Sequence, residues 1–157
     1  MPDAYLDGVR LLSRRSLTRR EIVLRLQQRG HGEGAVENAV SRLVAMSAID
    51  DRALARHWIA SQAASRGRGR ERALAELSAR GVDDAVAASA WLEAVEDGAI
   101  DDDALVLRAV RRRLGAPPGR ADRGRLARVY NALLDEGFRQ AQVEAALVPY
   151  GFKRNDP

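Results

Sequence analysis

Arginine side chains form two dense clusters in this chain of 157 residues, whose formal net charge is +4. The larger cluster lies at residues 108–128, where Asp122 is the single acid beside eight arginines. They are Arg108, Arg111, Arg112, Arg113, Arg120, Arg123, Arg125 and Arg128. The smaller cluster contains Arg66, Arg68, Arg70 and Arg72. A guanidinium group binds phosphate or carboxylate through a planar fork of donors, so both clusters predict binding to a polyanion or an acidic protein surface.

A second interpretation of these clusters is that arginine is simply the usual cation of this chain, because Lys153 is its only lysine. Many surface charges do no more than solvate a helix face. We favour the functional interpretation for residues 108–128 and leave both interpretations open for residues 66–72.

Residues that could support catalysis are few. His31 lies among glycines and His57 lies beside Trp58, so neither belongs to an evident nucleophilic constellation. The acids at 101–103 lack the alternating spacing of a calcium loop, and the glycines at 30–34 and 67–69 complete no phosphate-loop signature. We therefore expect a protein that is not an enzyme and that holds no cofactor and no metal.

The helices that position the arginines are predicted from a segment that occurs twice in the sequence. The segment Ile49-Asp50-Asp51-Arg52-Ala53-Leu54 returns about 51 residues later as Ile100-Asp101-Asp102-Asp103-Ala104-Leu105. In both copies the first Asp is placed to cap a helix, between apolar residues at the positions of a hydrophobic staple. A period of this size is typical of stacked helical units that cannot bury an apolar face alone.

Each unit is predicted to contain three helices. The spacing Thr18-x-x-Glu21 predicts a capping box that begins a second kind of helix, which ends at Gly30. Three glycines are each predicted to end a helix, and we call them stop glycines. Apolar residues precede each one at the same distances: Ile22, Val23 and Leu26 before Gly30; Ala73, Leu74 and Leu77 before Gly81; Val129, Tyr130 and Leu133 before Gly137. A third helix is predicted after each glycine, and residues 115–119 are predicted to form a loop.

The predicted fold is therefore all-α, with three tandem three-helix repeats that form an elongated, curved array. The predicted repeats are residues 1–49, 50–99 and 100–157, the last with a basic C-terminal surface. No apolar run reaches membrane-spanning or signal-peptide length, and the chain has no cysteine. From this composition we expect a cytoplasmic protein with no membrane contact, and we expect it to be a monomer.

Several strings of this sequence resemble the RecX family of bacterial regulators of the RecA recombinase. They are Leu11-Leu12-Ser13-Arg14-Arg15-Ser16-Leu17-Thr18-x-x-Glu21-Ile22, Leu26-x-x-x-Gly30, Ile49-Asp50-Asp51-x-x-x-Ala55, Arg66-Gly67-x-Gly69-x-x-Arg72 and Leu77-x-x-x-Gly81. Two departures are visible: Ala53-Leu54 stands where the family usually has an aromatic residue, and the third repeat is only loosely similar.

The resemblance implies a cofactor-free, all-helical regulator that binds RecA, or the RecA filament on single-stranded DNA, and inhibits its recombinase, ATPase and co-protease activities. The partner-binding residues would be the twelve arginines of the two clusters, which contact RecA or DNA phosphate. An alternative function is that of a helix-turn-helix-like DNA-binding protein. It is disfavoured because the third helix of the second unit begins with Asp83-Asp84, which would repel phosphate. A third alternative is a helical scaffold for some other acidic protein.

Overall fold

The computed structural model describes residues 3–153, apart from the side chain of Ala64. These residues contain nine helices joined by short loops and turns. They are α1 (Ala4–Leu12), α2 (Arg19–Gln28), α3 (Glu33–Ala45), α4 (Asp51–Trp58), α5 (Arg70–Ala79), α6 (Asp84–Glu96), α7 (Asp102–Leu114), α8 (Arg123–Asp135) and α9 (Gln140–Leu147). α4 continues through a π-helical turn, Ile59–Ala63, and a short α-helical turn, Ala64–Arg66. A 3₁₀ turn, Val148–Tyr150, follows α9. No strand occurs among these described residues, so the prediction of an all-α fold is confirmed.

Side-chain caps begin the helices where the sequence predicts them. Thr18 and Glu21 form a complete capping box at the start of α2. Asp50 and Asp101 accept hydrogen bonds from the backbone N–H groups three residues further on, each over 2.9 Å. The staple residues Ile49 and Ile100 are both buried. These caps satisfy backbone donors that a helix leaves unpaired at its first turn.

The three stop glycines end α2, α5 and α8 in the same way. Gly30, Gly81 and Gly137 have φ values of +84°, +94° and +87°, which favour glycine over any residue with a Cβ atom. The residue after each glycine donates its N–H back to the carbonyl of the stripe leucine: Leu26, Leu77 or Leu133. These leucines have no exposed surface, and the first residue of each predicted stripe is buried too, whereas the middle residues Val23, Leu74 and Tyr130 are only partly buried.

Two other expectations can be compared with the structure. The predicted loop at residues 115–119 lies between the end of α7 and the start of α8. The apolar residues Val86 and Ala90 to Leu92 after Gly81 predict the apolar stripe of the third helix of the second unit, but the Leu92 side chain is 57% exposed. Ala90 and Trp91 of the same stripe are buried as predicted, and Leu92 is not, because adjacent helix positions point about 100° apart.

The chain divides into two compact units. The first contains Met1–His57 and Glu76–Ala90, and the second contains Trp58–Ala75 and Trp91–Pro157. The core of the first unit joins α1, α2 and α3 through buried aliphatic side chains. Gly8 of α1 lies so near α3 that a Cβ atom would stand 2.7 Å from a methyl group of Leu43. The middle predicted repeat thus contributes residues to both units.

The first unit contains a polar seam between the start of α2 and the end of α5. Thr18 is completely buried, and its hydroxyl donates to the Arg80 carbonyl over 2.7 Å. Arg80 in turn donates to both carboxylate oxygens of Glu21, over 3.1 and 3.0 Å. The capping box therefore also binds a segment more than 50 residues away in the sequence.

The second unit contains the equivalent seam, made by backbone atoms. Gly69 stands where Thr18 stands relative to its stop glycine, and its N–H donates to the Glu136 carbonyl over 2.9 Å. The Glu71 N–H donates to the Gly137 carbonyl over 3.0 Å. A Cβ atom on Gly69 would stand 2.4 Å from backbone atoms of Gly137 and Phe138, so only glycine permits this approach.

Replacing Glu21 with Gln should destabilise the protein at neutral pH. Burial raises the pKa of Glu21, but hydrogen bonds from Arg80 and the Thr18 N–H, together with the charges of Arg80 and Arg15, outweigh burial and hold it below its ordinary value of 4.5. Because the folded-state pKa is depressed, this stabilisation is present at neutral pH and is lost as the pH falls below about 4.5. We expect E21Q to cost about 1–2 kcal/mol at neutral pH, since Gln can still complete the capping box but carries no charge.

Chemical denaturation at several pH values measures this difference. The control is E37Q, because Glu37 is exposed in the middle of α3. A loss in E21Q that is equal at pH 7 and pH 3 would contradict the proposed role of the charge.

Candidate partner-binding surface

The exposed arginines of the predicted site are spread over several segments of the second unit. Arg108, Arg111 and Arg112 are all exposed on this helix, whereas Arg113 is half-buried. Arg66 and Arg72 are also exposed, and Arg68 and Arg70 are half-buried. Arg120, Arg123, Arg125 and Arg128 are exposed on the loop after α7 and on α8. The structure therefore gives most of the predicted arginines access to a partner.

The two arginine clusters meet within the second unit. Gly67 has a φ of +63°, and a Cβ atom there would stand 2.6 Å from Nη2 of Arg112. The guanidinium group of Arg112 therefore lies directly against the backbone between Arg66 and Arg68. Sequence analysis placed the clusters in different repeats, yet this contact and the Gly69–Gly137 seam bring them to one surface. We name the surface around Arg66, Arg111 and Arg112 the arginine junction.

Two of the predicted site residues, Arg113 and Arg125, form hydrogen bonds that stabilise the predicted third repeat. Arg113 donates to the Ala109 carbonyl over 3.0 Å and forms an ion pair with Glu136. Arg125 donates to the Arg113 carbonyl over 2.7 Å, which satisfies a free acceptor in the last turn of α7. These guanidinium groups hold α7 to α8 and to the seam, a role that the sequence alone did not reveal.

Other predicted site residues also interact within the chain. Arg70 pairs with Glu71 over 2.7 Å. The backbone N–H of Arg125 holds the pKa of Asp122 below its ordinary value, and the charge of Arg128 acts in the same direction. Arg68, Arg72, Arg108 and Arg123 each make a further interaction. Among the described residues, Arg66, Arg111 and Arg112 of the arginine junction form no such hydrogen bond or ion pair, although the Arg112 guanidinium group lies against Gly67.

An open groove of about 630 Å³ follows α7 beside the arginine junction. Ile100, Leu105 and Leu107 form its apolar part, and Arg108, Arg111 and Arg112 line its other end. Leu107 is 41% exposed, although it lies among buried neighbours at positions 105, 106, 109 and 110. Sequence analysis did not single out this leucine. The available signal was its spacing of four from Arg111, which places both on one face of the helix.

The histidines have ordinary surroundings. The side chain of His31 is only 4% exposed in the first unit, and its Nε2 lies 2.9 Å from Oδ2 of Asp7. Hydrogen bonding to His31, helped by Arg10 and Arg29, lowers the pKa of Asp7 although burial opposes this. His57 is exposed on α4. Within residues 3–153, no three His, Asp or Glu side chains are grouped as metal ligands, and no helix is long and apolar enough to span a membrane.

Three-helix units with stop-glycine seams, and an arginine-rich surface on the second unit, define an all-helical protein of tandem three-helix units. Comparison with known families makes this specific. The model of the first three-helix domain of RecX matches residues 4–43, and that of the second matches residues 50–90. The chain belongs to the RecX family. Both matched ranges lie inside the first two predicted repeats, while the repeat boundaries themselves stay a prediction.

Named relatives agree with this membership. The chain is 34% identical to the regulatory protein RecX of Mycobacterium tuberculosis over 143 residues, which cover 89% of this chain and 71% of the relative. It is 35% identical to RecX of Mycobacterium sp. (strain KMS) over 141 residues, covering 88% and 76%.

Solved structures share the fold. The crystal structure of RecX from Lactobacillus salivarius has a TM-score of 0.73 at 18% identity and covers 92% of each chain. A second crystal structure of a regulatory protein RecX has a TM-score of 0.76 at 22% identity, covering 91% of this chain and 69% of the other. The helical architecture is therefore the family architecture.

Replacing Arg113 with Gln should lower stability, whereas R111Q should leave it nearly unchanged. The first change removes the partner of Glu136, whose Oε2 is already buried without a hydrogen bond among the described residues. Because R113Q loses a charged hydrogen bond, we expect its free energy of unfolding to fall by about 1–2 kcal/mol. R111Q removes only an exposed charge, so we expect a change of less than about 0.5 kcal/mol. Thermal melting of both variants measures the difference. Equal melting temperatures would contradict the structural role of Arg113.

Proposed function

We propose that this protein is a non-enzymatic regulator that binds the RecA recombinase, or its filament on single-stranded DNA, and inhibits its recombinase, ATPase and co-protease activities. Family membership supports a regulatory role. The observation that carries the proposal is the arginine junction, where the guanidinium group of Arg112 lies against Gly67, the residue that follows Arg66 in the other sequence cluster. A nucleoprotein filament offers both carboxylates and phosphates as partners for such a surface.

The electrostatics favour an external partner for the junction. Arg112 is exposed beside Arg111 on α7 and lies against Gly67, the residue after the exposed Arg66, and like charges repel when they lie close together. An anionic partner would replace this repulsion with attraction, and guanidinium groups lose less hydration than ammonium groups when they are covered. Catalysis in this account belongs to RecA, and the regulator acts by occupying or locking the filament. Binding should then weaken as salt rises, because exposed charges are screened.

The double variant R66E/R112E should lose inhibition of the RecA ATPase. The assay titrates the protein into RecA with single-stranded DNA and ATP, and we expect an increase of about tenfold or more in the concentration needed for half inhibition, a change of about 1.4 kcal/mol. Melting temperature should change little, because exposed charges contribute little to folding. R14E is the matched control, since Arg14 is exposed in the first unit outside both arginine clusters.

Retention of the pure chain on three surfaces separates the possible partners. RecA-coated single-stranded DNA should retain it more strongly than bare single-stranded DNA or duplexes of varied sequence. Preferential retention on one duplex sequence would instead support a sequence-specific DNA-binding protein. Full inhibition by R66E/R112E would remove the arginine junction from the mechanism.

A further inference from the structure

The groove along α7 has an apolar part and a cationic part in a fixed order. At its start, Asp101 caps the helix and its carboxylate already accepts the Ala104 N–H. Leu107 lies in the middle, and Arg111 follows one helical turn later, about 6 Å along the axis. Arg108 and Arg111 are three residues apart, so they border the groove on one face.

The chemistry of the groove favours a protein segment over nucleic acid. Single-stranded nucleic acid bases bind most readily to aromatic side chains, on which they stack, and the side chains of this groove are aliphatic or charged. Leu107 is 41% exposed, and contact between its side chain and water is unfavourable. A ligand with apolar groups over Leu107 and carboxylates against the arginines would therefore bind both the apolar part and the cationic part of the groove.

We propose that this groove binds an acidic amphipathic segment of a partner protein. Apolar side chains of the segment pack on Leu107 and the neighbouring aliphatic floor, and its Asp or Glu side chains, one helical turn away, pair with Arg108 and Arg111. This is the helix-in-groove mode of peptide recognition, in which apolar anchors give affinity and charges set the direction of the bound segment. The identity of the partner as RecA rests on the proposed function, whereas the chemistry of the segment rests on the groove.

A synthetic peptide tests the groove without RecA. The probe is a short fluorescein-labelled helical peptide with two leucines one turn apart, followed by three glutamates, and its anisotropy is measured against the full chain. Wild type should bind this peptide about tenfold more tightly than a counterpart with glutamines in place of the glutamates, and also about tenfold more tightly than one with serines in place of the leucines. L107D and R111E should each weaken binding of the acidic peptide by about tenfold.

Matched variants and a charge exchange make the test specific. L24D and R14E are the controls, because Leu24 is 47% exposed and Arg14 is exposed, both outside the groove. R111E should bind a lysine-containing version of the peptide more tightly than wild type does, a recovery that a merely unfolded variant would not show. Circular dichroism should give the same helical content for all four variants.

Other results would overturn the proposal. These are an absence of peptide binding by wild type, or equal binding by wild type and L107D. Tighter binding of a single-stranded oligonucleotide than of the peptide, lost in R111E but kept in L107D, would assign the arginines to nucleic acid instead.

The RecA ATPase assay separates this proposal from the proposed function. Wild type that binds the peptide but does not inhibit RecA would refute the proposed function and leave the groove intact for another partner. Wild type that inhibits RecA, with L107D and R111E inhibiting equally well, would refute the use of the groove.

Discussion

The position of the arginine junction depends on a contact that recurs in the fold. The start of the second helix of one repeat lies against the glycine that ends the second helix of the next repeat. In the first unit this contact is polar and joins Thr18 and Glu21 to Arg80. In the second unit it is made by backbone atoms, because Gly69 approaches Gly137 too closely for any side chain. The two seams thus join equivalent positions of the repeats by different chemistry. The first seam uses a buried hydroxyl and an ion pair, and the second seam requires the absence of a Cβ atom. Fixing Gly69 at this seam also fixes residues 66–68 beside α7.

Sequence patterns predicted the local structure well, since caps and stripes depend on neighbours in the chain. Asp101 and Thr18 cap their helices as expected, and Leu26, Leu77 and Leu133 are fully buried. The meeting of Gly67 with Arg112 could not be predicted, because it joins residues 45 positions apart through tertiary packing. Nor could the sequence distinguish Arg113, which braces Glu136, from Arg111, which lines the groove, because consecutive arginines spread around a helix. The prediction that Leu92 is buried was wrong for the same geometric reason. Leu92 follows the buried Trp91 and therefore points to a different side of the helix.

The arginines of the second unit therefore have divided roles. Arg113 and Arg125 bind carbonyl and carboxylate groups of their own chain and complete the helix ends. Arg66, Arg111 and Arg112 remain at the surface, where an anionic partner would supply the pairing that the described part of their own chain does not. This division explains how a helical protein can carry many arginines in a short segment and still fold, since part of the charge is neutralised internally. The exposed arginines of the junction lie next to the exposed Leu107, which lines the same groove as Arg111 and Arg112.

The stability and inhibitory activity of the variant G69A test this account most directly. A Cβ atom at this position would stand 2.4 Å from the backbone of Gly137 and Phe138, so the seam must open. The control is G34A, because a Cβ atom on Gly34 in α3 would meet no described atom within 4 Å outside its own stretch of helix backbone. We predict that G69A melts several degrees lower than G34A and loses inhibition of the RecA ATPase, while G34A keeps both properties. Equal melting temperatures and equal inhibition in the two variants would contradict the claim that this glycine contact organises the arginine surface.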